Sequence, residues 1–360
     1  MSLKITTVVG ALLFTIVGCA IHNTPDTLKT SEMNNPNEVS SRNFNAFVDQ
    51  NGTFYPPNWK KENGSPCKIY CWNIHYSLIA TAASKGNDAV ENLSIKEAQI
   101  LENMRVKLED ANRVYILVHG YNNDAKTSRN NYDTIKNHIE FQENDVVIEF
   151  FWDGLVSKSS LWGDAKIWFR ATGYSQLAGS EGLRDILNLI ENKEIIIISH
   201  SRGASVALSA LSNPPYSKEF AEDTLEFHTV DVYQTERLQD NKNIIKLLML
   251  APAIGDVDFR VPDHLTKMSY REFGDQLTKI SYTVNPNDKV LKKFLDKPNV
   301  SGKFNPTDLG FDEKSGEKLK AHYGIIQSYD FSETKSHKFD KYIENENFKL
   351  MLSDLGVDVK

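Results

Sequence analysis

A serine motif directly follows a run of four isoleucines at residues 195–198. The run continues into a Ser-x-Ser-x-Gly sequence at 199–203, and a segment rich in alanine and leucine comes next. This order of strand, tight turn and helix predicts a nucleophile elbow, which holds the hydroxyl of Ser201 above the edge of a sheet. Gly203 is the small residue that such a turn needs, whereas Ser199 stands where glycine is usual. The alternative interpretation is that Ser201 only caps the helix that follows.

A second strand end strengthens the first interpretation. The apolar strand Val114–Val118 ends in the tripeptide His-Gly-Tyr at 119–121. Together with the serine motif, this strand end resembles the α/β-hydrolase superfamily, and within it the bacterial esterase- and lipase-like branch. The resemblance implies an oxyanion hole that is made of the backbone amides of Tyr121 and Arg202. It also implies that His119 orders the loop and is not the catalytic base.

The same resemblance limits where a catalytic acid can lie, because in that family the acid follows the nucleophile and precedes the histidine. Asp288 lies in a short turn after the predicted strand Ile280–Val284, which looks like the usual position of the acid. Asp256 and Asp258 are the alternatives, since they follow the earlier strand Ile244–Leu250, where some members of the family place the acid. We favour Asp288 and leave both alternatives open.

The catalytic base is expected close to the C-terminus. His337 lies after the last predicted strand and at the start of the final amphipathic helix, where the histidine loop of the family falls. His322 precedes that strand, and His228 and His264 precede Asp288, which breaks the order of the family. The resemblance therefore implies that His337 is the base.

The elements that must position these residues alternate between β-branched apolar runs and helical periods. This alternation predicts the α/β class, with the mostly parallel central sheet and the helices on both faces that the α/β-hydrolase fold has. The expected strands are 114–118, 146–151, 195–198, 244–250, 280–284 and 325–330, and the expected helices lie near 125–141, 175–192, 203–212 and 338–353. A capping box at Ser94-x-x-Glu97 predicts a further helix that begins there. The segments 213–242 and 296–321 fit this order poorly and are candidate lids or surface insertions.

The N-terminus carries its own signal. Residues 1–18 contain one lysine, no acidic residue and an apolar run that is too short to cross a bilayer, which is typical of a secretory signal peptide. The sequence Ile-Val-Gly before Cys19 resembles the lipobox of bacterial lipoproteins, and this resemblance implies that a lipid is attached to Cys19. The protein is therefore expected to be lipid-anchored in a bacterial cell envelope. Ala20 is not acidic, which favours the outer membrane.

The rest of the chain divides into two parts. Residues 19–42 are polar and almost free of large apolar side chains, so they are predicted to form a flexible tether. Residues 43–360 are predicted to form the α/β-hydrolase domain, with an N-terminal extension at 43–110 that matches none of the motifs of the family. Cys67 and Cys71 form either a local disulfide or two packed thiols.

The composition excludes several other classes of protein. A chain of 360 residues with 40% apolar and 25% charged residues is ordinary for a globular protein with a sizeable core. The net charge of −7 argues against a nucleic-acid partner. The sequence patterns of dinucleotide-binding, P-loop and zinc-protease sites do not occur, so neither a cofactor nor a metal is expected.

These observations predict a serine hydrolase that cleaves a small-molecule or lipid ester through a triad of Ser201, Asp288 and His337 and an acyl-enzyme. A serine peptidase and a catalytically inactive binding or assembly protein of the envelope remain the alternatives. The aromatic residues around Trp162 and Trp168 are expected to form either a wall for an apolar substrate or part of the core.

Overall fold

The structure is a computed structural model that describes residues 20–25, 36–37, 42–63, 77–157, 161–217, 220, 236–261, 269–292 and 307–360. The predicted signal peptide, Cys19, Cys67 and Cys71, most of the first candidate lid and part of the second lie outside the described residues.

A seven-stranded sheet runs through the domain, and all six neighbouring pairs in it are parallel. The strands, in their order across the sheet, are β11 Ile326–Asp330, β10 Leu277–Val284, β8 Ile244–Leu250, β6 Glu194–His200, β3 Arg113–Val118, β4 Val146–Phe151 and β2 Asn43–Phe47. Within the described residues, two short antiparallel pairs lie outside it: β1 Ala20–Ile21 with β5 Val156–Ser157, and β7 Ser212–Asn213 with β9 Glu272–Phe273. The predicted α/β class and parallel sheet are confirmed. The edge strand β2 comes from the N-terminal extension and was missed, because only one face of its Asn-Phe-Asn-Ala-Phe sequence is uniformly apolar.

The helices of the described residues are α1 Trp59–Asn63, α2 Leu78–Ala83, α3 Asn87–Leu108, α4 Ala125–Lys136, α5 Leu161–Leu177, α6 Arg184–Leu189, α7 Gly203–Leu211, α8 Lys289–Lys292, α9 Glu313–Tyr323, α10 Phe339–Ile343 and α11 Glu346–Asp354. A π-helical turn, Ala178–Leu183, joins α5 to α6, and a 3₁₀ turn, Asp256–Phe259, follows β8. Among these helices, none has the length and the apolar character that crossing a membrane requires. The capping box predicted at Ser94 is wrong: α3 begins at Asn87, and the carboxylate of Glu97 accepts a hydrogen bond from the amide of Phe54.

Both faces of the sheet are covered, which explains the uninterrupted apolar character of its central strands. Ile195 and Ile197 belong to a core on one face, and Ile196 and Ile198 belong to a core on the other. The first core includes side chains of α3, α5, α6 and α7, whereas the second includes side chains of α2, α4, α10 and α11. Four isoleucines in a row therefore place two side chains in each core.

The order of the strands sets where a site can form. The strand β3 has β4 on one side and β6 on the other. After β4 the chain crosses to β6, and from there it adds β8, β10 and β11 in turn on the side of β3 away from β4. In open parallel sheets, ligands bind at such a switch in direction, outside the carboxyl ends of the strands. The predicted elbow after β6 and the His-Gly loop after β3 meet at this point.

Two parts of the predicted tether are packed against the domain. Pairing of β1 with β5 holds residues 20–21, and the side chain of His22 is hydrogen-bonded to Asp153. The amide of Asn23 donates to Asp153 Oδ1 over 2.8 Å. Farther along, Asn37 Oδ1 accepts from the amide of Phe47 over 2.8 Å. At these positions polar groups of the segment form hydrogen bonds with the domain.

Candidate active site

Ser201 occupies a strained turn between β6 and α7. Its φ is +52°, in the left-handed region that non-glycine residues rarely adopt. The turn is held from both sides, because the amide of Ser201 donates to Leu250 O over 2.9 Å and its carbonyl accepts from the amide of Ala253 over 3.2 Å. Strain of this kind accumulates at functional sites, where the surrounding structure over-determines the backbone. The structure therefore has the elbow geometry that the serine motif predicts.

Two glycines allow the chain to approach this turn closely. A β-carbon at Gly203 would lie 2.5 Å from the carbonyl oxygen of His119, and one at Gly120 would lie 2.8 Å from Cβ of Ser201. Both distances are shorter than contacts between non-bonded atoms allow, so a side chain at either position would separate β3 from the elbow. Ser199, where glycine is usual, is fully buried, and its hydroxyl donates to Leu248 O over 3.4 Å. The departure from the usual motif is thus accommodated between β6 and β8.

The three residues predicted as a triad form one chain of hydrogen bonds. His337 Nε2 lies 2.9 Å from Ser201 Oγ, and His337 Nδ1 lies 2.7 Å from Asp288 Oδ2. A proton on Nδ1 is donated to the carboxylate, which leaves the lone pair of Nε2 for the serine hydroxyl. Asp288 is fully buried and Ser201 is 2% exposed, whereas the His337 side chain is 14% exposed. The imidazole of His337 is therefore the most accessible of these three side chains.

Asp288 is held as a carboxylate by several donors. Burial alone would raise the pKa of its carboxyl group, but hydrogen bonds from His337, Tyr342 and the amide of Leu291 outweigh it and lower the pKa. The amides of Val290 and Leu291 donate to Oδ1 over 2.9 and 3.2 Å, and the hydroxyl of Tyr342 donates to Oδ2 over 2.8 Å. Sequence reasoning missed Tyr342, because a tyrosine in the last helical segment carries no signal that points to an aspartate 54 residues earlier.

The two alternative acids are engaged elsewhere. Asp256 pairs with Arg260 and accepts from the hydroxyl of Tyr270 over 3.1 Å. Asp258 is fully buried and forms an ion pair with Arg202, whose Nη2 donates to Oδ1 over 3.0 Å. Asp288 is therefore the carboxylate that the structure brings to His337.

Of the other histidines that were considered as the base, the structure describes His119 and His322, and both pack against aromatic rings. His119 is stacked on Trp152, its Nε2 accepts from the amide of Trp152 over 3.1 Å, and its Nδ1 lies 2.7 Å from Gly120 O. Burial lowers the pKa of His119 to about 4, so the ring is neutral and orders the loop after β3. His322 contacts the rings of Tyr270 and Tyr323. His228 and His264 lie outside the described residues.

His200 is a residue near the site that the sequence did not single out. Its Nε2 donates to the carbonyl of His337 over 3.1 Å, and its ring lies 5.2 Å from the ring of His337. Burial, together with the neighbouring His337, lowers the pKa of His200 to about 3, so His200 is neutral. It fixes the backbone of the histidine loop.

The predicted oxyanion residues share a buried support. Tyr121 follows Gly120 in the turn after β3, and Arg202 follows Ser201 at the start of α7. The ring of Trp168 lies 5.0 Å from the ring of Tyr121, edge to face, and the guanidinium of Arg202 lies over it at 5.5 Å. Trp168 is 1% exposed. Of the two interpretations of this aromatic, the structure supports core packing, here against both turns.

Arg202 also ties the elbow to the loop after β8. Besides its pair with Asp258, its Nη1 donates to Ala253 O over 3.1 Å and its Nε donates to Ser175 Oγ over 3.3 Å. Each side of the fully buried guanidinium is thus occupied by a partner. Within the described residues, no group of three or more His, Cys, Asp or Glu side chains is arranged to hold a metal ion.

Comparison with known proteins gives a family match. A family model described as "Alpha/beta hydrolase of unknown function" (DUF900) matches residues 95–342, more than half of the chain. No curated protein matches the sequence. A crystal structure of an uncharacterized protein from Pseudomonas aeruginosa aligns with 62% of this chain at 12% identity and a TM-score of 0.24. The chain spans 41% of the length of that protein.

Proposed function

The chain belongs to this family of α/β-hydrolases of unknown function, and on that basis we propose that it is a serine hydrolase that cleaves carboxylic esters. Ser201 is the nucleophile, His337 the general base and acid, and Asp288 the residue that orients the imidazole. The amides of Tyr121 and Arg202 stabilise the oxyanion. The substrate is a small-molecule or lipid ester.

The proposed reaction follows from the order of the hydrogen-bonded groups Ser201, His337 and Asp288. His337 Nε2 takes the proton of Ser201 as Oγ bonds to the carbonyl carbon of the ester, and the carbonyl oxygen becomes an oxyanion. His337 then gives the proton to the leaving alkoxide as the carbon–oxygen bond breaks, which leaves an acyl-enzyme. A water molecule attacks this acyl carbon, its proton passes to His337 and then to Ser201 Oγ, and the carboxylic acid is released.

The observation that carries the proposal is the chain from Ser201 through His337 to Asp288, with the serine at a left-handed turn. The N-cap residue of α7 is Arg202 and not Ser201, whereas the hydroxyl of Ser201 lies 2.9 Å from His337 Nε2. Burial of the Asp288 carboxylate costs desolvation free energy. A turn with a purely structural role does not require such a buried charge.

Turnover of p-nitrophenyl acetate and butyrate by the detergent-solubilised full chain tests the proposal. We expect Ser201→Ala to reduce turnover by about 10³-fold or more with an unchanged circular dichroism spectrum. Ser199→Ala is the matched control, because it removes a neighbouring buried hydroxyl of the same turn and is expected to keep turnover close to wild type. Equal turnover by Ser201→Ala would overturn the proposal. Turnover of amides but not esters would favour the peptidase, and no turnover at all the binding or assembly protein.

We also propose that a lipid on Cys19 anchors the protein in the bacterial outer membrane. The support is the sequence before Cys19 and the absence of an acidic residue at Ala20. Several acyl chains on one cysteine give stable anchoring, whereas a single chain binds only marginally. We expect Cys19→Ser to abolish acylation and to move the protein out of the membrane fraction or leave an uncleaved precursor. An unmodified Cys19 in the mass spectrum of the wild-type N-terminus would contradict this proposal.

A further inference from the structure

Asp288 offers one oxygen to two donors. His337 Nδ1 lies 2.7 Å from Oδ2, and the hydroxyl of Tyr342 lies 2.8 Å from the same atom. The other oxygen, Oδ1, is occupied by backbone amides of its own turn. The oxygen that faces the proposed base is therefore also the one that a tyrosine holds, and a change at Tyr342 acts directly on the hydrogen bond to His337.

Asn285 determines the direction of the tyrosine proton. Its Nδ2 donates to the hydroxyl oxygen of Tyr342 over 2.9 Å and to the carbonyl of Thr334 over 2.7 Å. Because an amide nitrogen only donates, it takes a lone pair of the phenol oxygen and leaves the phenol hydrogen for Asp288. Burial and the nearby carboxylate of Asp288 raise the pKa of the Tyr342 phenol above its usual range, so the hydrogen is retained.

Tyr342 is fixed in place by its surroundings. It is fully buried, and its ring is stacked on Phe331 with centroids 5.5 Å apart and planes 14° from parallel. It belongs to α10, which begins directly after the histidine loop, while Asn285 and Asp288 belong to the turn after β10. One side chain thus joins the segment that carries the proposed base to the segment that carries the proposed acid.

We propose that Tyr342, held by Asn285, is a positioning residue that fixes Asp288 Oδ2 and moderates the strength of its hydrogen bond to His337. This proposal rests on the proposed function, since it assigns a role to Tyr342 in that same site. A donor that shares Oδ2 withdraws part of the negative charge that would otherwise stabilise the imidazolium. Among the described residues, the ionisable side chains that are hydrogen-bonded to Asp288 are His337 and Tyr342, and His200, which faces His337, is neutral.

Removal of the Tyr342 hydroxyl is expected to strengthen one hydrogen bond and to lower kcat. In Tyr342→Phe, the bond from His337 Nδ1 is the only one of the two that remains on Oδ2, so it becomes stronger. The freed carboxylate also orients the imidazole less well, so kcat is expected to fall about 10-fold while KM stays within a factor of about two.

Tyr216→Phe is the matched control. The hydroxyl of Tyr216 is also buried and donates to a carboxylate, Glu181 Oε1, over 2.9 Å, but it lies outside the proposed site. Its loss is expected to lower thermal stability without lowering kcat. If Tyr342→Phe lowers Tm as the control does and leaves kcat unchanged, the residue is only structural and the proposal is overturned.

A proton NMR measurement separates this proposal from the proposed function. The proton between His337 Nδ1 and Asp288 Oδ2 is expected as a low-field resonance that Asp288→Asn abolishes, whether or not the protein turns over an ester. We expect Tyr342→Phe to move this resonance farther downfield and Tyr216→Phe to leave it in place. An unmoved resonance in Tyr342→Phe contradicts the role of Tyr342. A moved resonance in a protein without Ser201-dependent turnover supports that role and contradicts the esterase.

Discussion

Ser201 combines an uncommon backbone angle with a position under the imidazole of His337. A left-handed serine costs on the order of 1–3 kcal/mol, which the hydrogen bonds of the turn to Leu250 and Ala253 offset. In this conformation Oγ lies 2.9 Å from a histidine whose other nitrogen is occupied by Asp288. The tautomer of His337 is thus set by its surroundings before any substrate binds.

The choice between the acids can be measured at single residues. Asp288→Asn keeps the shape of the side chain but no longer selects the tautomer with the proton on Nδ1, so turnover is expected to fall by about 10⁴-fold. Asp256→Asn is the matched control and is expected to be nearly silent, because Asp256 pairs with Arg260 and not with His337. Steady-state kinetics on a short ester checks both variants. The reverse ranking would place the acid after β8 and contradict the assignment.

The sequence allows a residue to be predicted when the residue belongs to a local motif or when the family fixes its order along the chain. Ser201 follows from the strand and turn around it, and Asp288 and His337 from the order that the family resemblance supplies. Tyr342 and Asn285 could not be predicted, because they meet across 57 residues and neither lies in a local pattern. His200 lies inside the motif, but its contact is with the backbone of His337, which no sequence pattern encodes.

At the scale of elements, a buried ion pair joins the elbow to the 3₁₀ turn after β8. Arg202 and Asp258 are both fully buried, and Asp258 Oδ2 also accepts from the amide of Gly255 over 2.9 Å. A pair of this kind is retained where both charges are satisfied, and it becomes costly when one partner is removed. It fixes the start of α7, which carries the proposed oxyanion amide of Arg202.

Asp258→Ala tests this connection. It leaves the guanidinium of Arg202 buried without its charge partner, so the free energy of unfolding is expected to fall by about 3–5 kcal/mol. Asp256→Ala is the control, since its pair with Arg260 is partly exposed and is expected to contribute about 1 kcal/mol or less. Chemical denaturation measures both. Equal losses in the two variants would show that the buried pair does not hold the elbow.

The elements themselves were predictable where apolar runs are continuous. The strands β3, β4, β6 and β8 follow from such runs, because a strand that is covered on both faces needs apolar residues at most positions. The last helix was expected as one segment over 338–353, but it is two, α10 and α11. The break occurs because Asn345 caps α11, with its side chain accepting from the amide of Asn347 over 2.9 Å. A single asparagine within a continuous amphipathic pattern does not by itself indicate that one helix ends and another begins.

At the scale of the whole molecule, the protonation of Asp185 in α6, which is not part of the proposed site, affects stability. Burial, together with Glu181, Glu236 and Glu97 nearby, raises the pKa of Asp185 to about 7. The folded protein therefore retains this proton up to near neutral pH, whereas the unfolded chain loses it near pH 4. The stability that Asp185 contributes falls as the pH rises from about 4 to about 7 and is lowest above that range.

Asp185→Asn is expected to remove this penalty. At pH 8 its Tm should exceed that of the wild type by about 2–5 °C, and at pH 5, where the wild-type carboxyl is already neutral, the two should agree. Asp110→Asn serves as the control, because Asp110 is exposed and its substitution should leave Tm unchanged at both pH values. Differential scanning calorimetry provides the comparison. A gain in Tm that is the same at pH 5 and pH 8 would contradict the burial of a protonated Asp185.

The central claim is that Ser201 is an activated nucleophile, and covalent labelling with a fluorophosphonate followed by peptide mass spectrometry tests it most directly. We predict one stoichiometric adduct on Ser201 in the wild-type chain, no adduct in Ser201→Ala, and strongly slowed labelling in His337→Gln, which removes the base but keeps the turn. An adduct that persists in Ser201→Ala, or that maps to another residue such as Ser199, would contradict the account.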